Sequence, residues 1–279
     1  MILEHTIKQA SKFLKKNNIK SHELDAEVIL ADILKVNREF LITNNNLNIS
    51  EEIRKKYNFA ITRRVRNEPV AYITGKKGFW DYEFFVNYRT LIPRPETELL
   101  LYKVLKIFNN KMINVLDIGT GSGCILLSIL KVLKFSRGIG IDISPKAVRV
   151  AKQNSLKLNL SNRSKFMIFD INKFNAGKYD LIISNPPYIP IKDLKNLDRN
   201  IKNYEPLVAL KGGIDGLELI KKVVNKSKTL LKTSGLLAIE IGNNQYLRAS
   251  NFLKKQGFRE IAKEYDYRDN VRCIISTKM

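Results

Sequence analysis

Residues 112–130 read MINVLDIGTGSGCILLSIL. The first seven are an apolar, strand-forming run that carries Asp117 near its end. From Cys124 onward the residues are apolar over a helical length. Between the two runs lie Gly119, Gly121 and Gly123. A strand that passes through glycines directly into a helix opens a βα unit. The glycines let the chain turn sharply and let a ligand approach the backbone.

The alternation continues outward from this stretch. Strands are expected at MINVLDI, GIGIDI, KFMIF, DLIIS, GLLAIEI, residues 258–264 and VRCIIST. Helices fit at 122–134, 145–158, 216–232 and 245–256. Near-continuous apolar strands alternating with helices predict a parallel sheet buried on both faces. The last two strands have no helix between them and should pair antiparallel.

Upstream the pattern changes. Residues 1–66 read as helices, with Ile7, Ala10, Phe13 and Leu14 on one face of the first and Leu24, Val28 and Ala31 on one face of the second. Ser21 is a candidate cap for the second, and Ser50-Glu51-Glu52 opens another, acidic at its positive end. Residues 67–95 hold Pro69, Gly75, Gly78, Pro93 and Pro95 around an aromatic, β-prone run, and read as a hairpin-like linker; Glu96 or Thr97 then opens a helix. The expected domains are a helical one over 1–68, a β-hairpin linker over 69–95 and a catalytic α/β domain over 96–279.

With 279 residues, 44% hydrophobic and 27% charged, the chain has a globular composition. It holds no run of eighteen apolar residues, so no membrane span is expected. MILEHTIKQASKFLKK is amphipathic and lacks the apolar core of a secretory signal. Two cysteines, Cys124 and Cys273, cannot build a disulfide framework, and both read as small buried hydrophobes; a cytoplasmic protein is expected. The net charge is +22, with 13 basic against 9 acidic residues through residue 75 and 36 against 18 beyond it. Such an excess is compatible with a nucleic-acid neighbour but does not require one, because the lysines are scattered. Both histidines, His5 and His22, precede residue 75, which leaves the larger segment without a histidine for a triad, a proton shuttle or a zinc site. No metal is expected.

Four constellations carry chemistry. In Asp117-Ile-Gly119-Thr120-Gly121-Ser122-Gly123, the dinucleotide fingerprint would need glycine or alanine where Cys124 stands, and a phosphate-binding loop would need Gly-Lys-Ser/Thr. A carboxylate at this turn suits a positively charged ligand, and S-adenosylmethionine carries an ammonium and a sulfonium. A purely structural glycine turn is the alternative. Asp142 ends the next strand, where an acid accepts from ribose hydroxyls; it can instead cap the following helix, although Ser144 and Pro145 already supply a helix start. Asp170 ends the third strand and can reach an adenine amine or stand solvated. Last, Ser184-Asn185-Pro186-Pro187-Tyr188 follows DLIIS. Two prolines stiffen this loop and remove two donors. The Asn185 side-chain oxygen and the Pro186 carbonyl can both accept from one planar NH2 group, and the Tyr188 ring can cover it. Holding an amide or exocyclic amine in this way is catalysis by positioning and electrostatics.

These motifs resemble the seven-stranded S-adenosylmethionine-dependent methyltransferases that modify nitrogen. Two branches share the NPPY loop: adenine amino-methyltransferases of RNA or DNA, and protein glutamine methyltransferases. Further segments resemble the peptide chain release factor glutamine methyltransferases: Leu24-Asp25-Ala26-Glu27, Glu68 to Gly75, Phe79-Trp80, Leu91 to Glu98, Tyr204-Glu205-Pro206 and Gly212-Gly213 with Asp215-Gly216. The resemblance implies a small N-terminal helical bundle that recognises substrate, a β-hairpin linker and a Rossmann-like domain. It implies methyl transfer to the side-chain amide of the glutamine in the Gly-Gly-Gln motif of bacterial class 1 release factors, leaving S-adenosylhomocysteine. The expected cofactor residues are Asp117, Gly119, Thr120, Gly121, Ser122, Gly123, Asp142, Asp170, Ile171 and Asn185. The expected substrate loop is Asn185, Pro186, Pro187 and Tyr188, with Asn185, Pro186 and Tyr188 catalytic. Ile171 departs from an often aromatic position and gives up stacking on adenine. Arg94 and Glu98 are expected either near the site wall or as ties between linker and catalytic domain. Trp80 reads as a linker anchor, His22 as part of a helix start, and Arg63, Arg64 and Arg66 as a solvated face, with release-factor docking as the alternative.

Overall fold

The computed structural model describes residues 2–279 and divides into two compact units. The first comprises the chain through Lys76 together with Asp198–Tyr204. It contains α1 (Leu3–Lys16), α2 (His22–Leu34), α3 (Arg38–Thr43), α4 (Glu51–Val65) and α5 (Val70–Thr74). Its core gathers Leu3, Leu14, Ala26, Ile29, Leu30, Tyr57 and Ile61.

Local chemistry explains these helices and several departures from expectation. Ser50 caps α4 by accepting from Ile53 N at 3.3 Å. Ser21 occupies the cap position of α2 but donates to Asp25 instead, at 2.8 Å. Asp25 also accepts from Arg64 at 2.7 Å, and Arg63 pairs with Glu68. Arg63 and Arg64 therefore do not form a solvated face; both lie against carboxylates within the bundle. The buried face of α2 is Asp25, Ala26, Ile29, Leu30 and Ala31; of the expected face Ala31 is buried, whereas Leu24 and, on α1, Phe13 are exposed. Residues 70–74 form α5 rather than plain linker: Pro69 precedes the helix and Gly75 ends it at φ +74°.

The second unit begins at Lys77, within a hairpin of β1 (Lys76–Phe79) and β2 (Tyr82–Phe85). It continues through α6 (Pro95–Phe108), β3 (Asn114–Ile118), α7 (Cys124–Val132), β4 (Arg137–Asp142), α8 (Pro145–Lys157), β5 (Ser164–Ile168) and β6 (Tyr179–Ser184). A short α9 (Arg199–Tyr204) belongs to the first unit, where Tyr204 Oη donates to Arg66 O at 2.9 Å. Then follow α10 (Glu218–Leu230), β7 (Leu231–Glu240), α11 (Tyr246–Lys255), β8 (Phe258–Tyr265) and β9 (Val271–Lys278). The helix α6 starts at Pro95, slightly ahead of the expected Glu96 or Thr97, because proline is preorganised for the first helical turn.

The seven-stranded sheet runs β5-β4-β3-β6-β7-β9-β8. Only β9 is antiparallel to its neighbours, β7 and β8. Successive strand residues face opposite helical layers: Leu181 and Ile183 join one apolar cluster with Leu126 and Leu130, and Ile182 joins another with Val223 and Ile239. The strand order reverses at β3, with β4 on one side and β6 on the other. In an open α/β sheet, ligands bind beyond the strand ends at such a switch point.

Candidate active site

The glycine turn leaves β3 at the switch point. Gly119 N and Thr120 N donate to Ile141 O at 2.9 and 3.0 Å, tying the turn to β4. Gly119, Gly121 and Gly123 all have positive φ, and a Cβ on Gly123 would sit 3.2 Å from Ala151, Leu127 and Phe166. Asn154 of α8 donates to Ser122 O and Phe85 O, and so also pins the hairpin.

A cavity of about 320 Å³ lies over these strand ends. Of the expected cofactor residues, Gly119, Gly121, Asp142, Asp170, Ile171 and Asn185 line it. Asp117, Thr120, Ser122 and Gly123 are not on its wall: Asp117, Thr120 and Ser122 are buried, and Gly123 packs behind the turn against α8. Their side of the turn sets the shape of the loop rather than the surface of the cavity.

Asp117 is fully buried. Its Oδ2 accepts from Thr120 Oγ1 at 2.6 Å, and its Oδ1 has no hydrogen-bond partner among the described residues. Burial pushes its carboxyl up to about 7, against the opposing Thr120 bond. An orphaned buried carboxylate oxygen is costly unless something cationic meets it. The Asp142 carboxylate is held by two backbone donors, Gly121 N at 3.0 Å and Ser144 N at 2.9 Å; burial raises its pKa. Ser144 caps α8 through Ala147 N, so Asp142 is not the helix cap. Asp170 instead accepts from Asn172 N at 2.8 Å and so starts a short turn that holds Ile171 on the cavity wall. The lining fits a nucleoside: the carboxylates of Asp142 and Asp170, aliphatic walls and a glycine floor.

The NPPY loop follows β6, and Ser184 Oγ ties that strand end to Ile118 O at 2.7 Å. Asn185, Pro186 and Pro187 line the same cavity. Tyr188 does not; it faces a neighbouring cleft with Gly242, Asn243 and Arg272. The loop is clamped from behind, because Gln245 Nε2 donates to Tyr188 O at 2.9 Å and Gly212 N donates to Ile189 O at 2.8 Å.

Three residues to which the sequence assigned no site role, Thr97, Glu240 and Arg272, stand behind the loop. Asn185 Nδ2 donates to Thr97 Oγ1 at 3.0 Å, and Thr97 Oγ1 donates to Glu240 Oε2 at 2.6 Å. Tyr188 Oη donates to Glu240 Oε1 at 3.2 Å, and Arg272 donates to Tyr188 Oη at 3.1 Å. Glu240 is fully buried, which raises its pKa, and burial likewise raises that of Tyr188. The available signal was a charged residue inside an apolar strand run, Glu240 in GLLAIEI and Arg272 in VRCIIST.

Arg94 and Glu98 act as ties. Arg94 pairs with Glu205 at 2.5 Å, and Glu205 also accepts from Ile92 N at 3.2 Å. Glu98 accepts from Trp80 N at 2.9 Å, at the hairpin turn.

A family model described as PrmC N-terminal domain matches residues 5–75, and one described as Methyltransferase domain matches residues 109–274. The release factor glutamine methyltransferase of Buchnera aphidicola subsp. Schizaphis graminum is 40% identical over 278 residues, covering 100% of both chains. That of Clostridium acetobutylicum is 38% identical over 282 residues, covering 100% of this chain and 99% of its own. The chain belongs to the release factor glutamine methyltransferase family. These relatives do not favour the adenine amino-methyltransferase alternative. Among solved structures, a methyltransferase from Pyrococcus furiosus has a TM-score of 0.56 at 19% identity, covering 78% of this chain and 98% of that one. The ribosomal protein L11 methylase from Lactobacillus delbrueckii subsp. bulgaricus has a TM-score of 0.51 at 18% identity, covering 73% and 89%. At such identities the likeness shows the fold: a Rossmann-like α/β sheet shared with methyltransferases. No helix among the described residues is long and apolar enough to cross a membrane.

Proposed function

We propose that this protein transfers a methyl group from S-adenosylmethionine to the side-chain amide nitrogen of the glutamine in the Gly-Gly-Gln motif of class 1 release factors. The observation that carries the reading is the clamped Asn185-Pro186-Pro187 segment on the wall of the switch-point cavity. When bound, S-adenosylmethionine supplies a methyl carbon activated by its neighbouring sulfonium. Asp117 and Asp142 would hold its cationic tail and ribose, and Ile171 would pack on the adenine. The Asn185 Oδ1 and the Pro186 carbonyl accept the two N–H bonds of the glutamine amide. Neither proline can donate, so the loop presents acceptors to that nitrogen. Fixing a planar amide in this way replaces solvent reorganisation with a preformed polar site. The nitrogen exchanges one proton for the methyl group, and solvent takes up the proton. No strong base is required beforehand. The helical unit, with Phe13, Ile42 and Phe59 exposed, serves release-factor recognition.

Incubation with a class 1 release factor and isotopically labelled cofactor tests the reading, with mass spectrometry of the Gly-Gly-Gln peptide. One added methyl on the glutamine is expected. No transfer to any class 1 factor, or nuclease-sensitive acceptance by RNA or DNA instead, overturns it.

A further inference from the structure

Asn185 can accept from a substrate nitrogen only if its carbonyl oxygen, and not its NH2, faces the cavity. A carboxamide has nearly the same shape in either orientation, so packing alone chooses weakly between them. The hydrogen bonds behind Asn185 choose instead. Glu240 as a carboxylate only accepts. Thr97 has one hydroxyl proton, and it is committed to Glu240 Oε2 at 2.6 Å. The Thr97 oxygen can therefore meet Asn185 only as an acceptor, which requires Nδ2–H at the 3.0 Å contact. Turning the amide over would set Oδ1 against Oγ1 with no proton between them. On the other side of Glu240, Arg272 donates to Tyr188 Oη at 3.1 Å, which directs the Tyr188 proton to Glu240 Oε1 at 3.2 Å. Burial opposes ionisation of Glu240, and three neighbours oppose burial: the Thr97 and Tyr188 hydroxyls that donate to it and the Arg272 guanidinium 3.8 Å from Oε1; the lock operates in the ionised, accept-only form that these three favour. Arg272 is itself held by Asn243.

We propose that Thr97 and Glu240, backed by Arg272, are positioning residues that lock the Asn185 carboxamide with its oxygen toward the substrate. None of the three lines the switch-point cavity. They act through Asn185, and the hydrogen bonds run one way: Arg272 to Tyr188 to Glu240, and Asn185 to Thr97 to Glu240. The inference rests on the methyl transfer proposed above for its effect on turnover, but the amide orientation itself does not.

The test compares wild type, Thr97→Val and Thr97→Ser. Valine keeps the shape and loses the hydroxyl; serine keeps the hydroxyl. Turnover on a class 1 release factor, calorimetric affinity for S-adenosylmethionine, and exchange of the Asn185 side-chain amide protons by NMR are measured on each. In Thr97→Val, kcat should fall roughly tenfold or more, as for loss of oriented reacting geometry. Cofactor affinity should stay within about twofold, since Asn185 is the only cavity-lining group the chain acts on. One slowly exchanging Asn185 amide proton, present in wild type, should become fast. Thr97→Ser should recover most of the turnover and the protected proton. If Thr97→Val does not fold, Thr97→Ala carries the same three readouts. A hydroxyl-free variant with wild-type kcat, or one that keeps the protected Asn185 proton, overturns the proposal. The NMR readout needs no substrate, so failure of wild type to methylate release factors counts against the proposed function while the lock is still decided.

Discussion

Thr120 satisfies one oxygen of Asp117 at 2.6 Å and leaves the other, Oδ1, buried without a partner. That asymmetry leaves a desolvated carboxyl beneath the glycine turn and gives the protein a pH dependence. Burial moves the Asp117 carboxyl from its ordinary value of 3.8 to about 7. Between those values the native chain keeps a proton that the unfolded chain has lost. Native stability without cofactor therefore falls as pH rises through that window, by on the order of 4 kcal/mol from this residue. Asp117→Asn should be more stable than wild type at pH 8, with the difference gone near pH 4. Urea unfolding at both pH values measures it; a difference that does not change with pH refutes the assignment. Wild-type affinity for S-adenosylmethionine should rise with pH toward 8, and that of Asp117→Asn should be weaker and flat.

Asn185→Ala removes the amide that grips the substrate nitrogen. Turnover should drop by about 10²-fold or more, the scale for loss of one oriented polar group. Calorimetry should show little change in cofactor affinity. Equal losses in turnover and cofactor affinity would instead make Asn185 a cofactor residue.

Arg94→Met should destabilise the protein by roughly 3 kcal/mol, because it leaves the Glu205 carboxylate, 1% exposed, without its cation. Glu205 also holds Ile92 N, next to the stretch Arg89, Thr90 and Leu91 on the cavity wall. Cofactor affinity should weaken together with the urea midpoint. The double variant Arg94→Met/Glu205→Gln should be milder than Arg94→Met, since no buried charge remains.

Gly216 has φ +76°, and a Cβ there would stand 2.4 Å from Tyr188 O. Backbone must move to admit it. Gly216→Ala should cost about 1–3 kcal/mol and displace the NPPY loop. Thermal unfolding and kcat should both fall; wild-type kcat in a folded variant would show that the loop tolerates movement.

The sheet was legible because its strands are short apolar runs ended by polar residues. Asp142, Asp170 and Asn185 were found for the same reason: each sits where the apolar run stops. Thr97, Glu240 and Arg272 were not. Thr97 lies 88 residues from Asn185 and 143 from Glu240, and Tyr188 lies 84 from Arg272, so no local spacing links them. Glu240 and Arg272 were read as part of the strands that contain them. In the first unit, Asp25 faces inward only because Arg64, 39 residues later, neutralises it. Periodicity alone could not anticipate that; it placed Ala31 inside as found, but put Leu24 inside where Asp25 is. Pro69 and Gly75 read as helix interrupters in isolation, but they bracket α5 as its start and stop.

The position of β9 bears on how the protein can be made. It is the strand nearest the carboxyl end, yet it fills the gap between β7 and β8. Until residues 271–278 are in place, β7 keeps an unpaired edge and β8 has no partner strand, and such raw edges invite aggregation. Tyr188 also lacks Arg272 at that stage. A nascent chain halted before residue 271 should be inert and a client for chaperones, however complete its glycine turn.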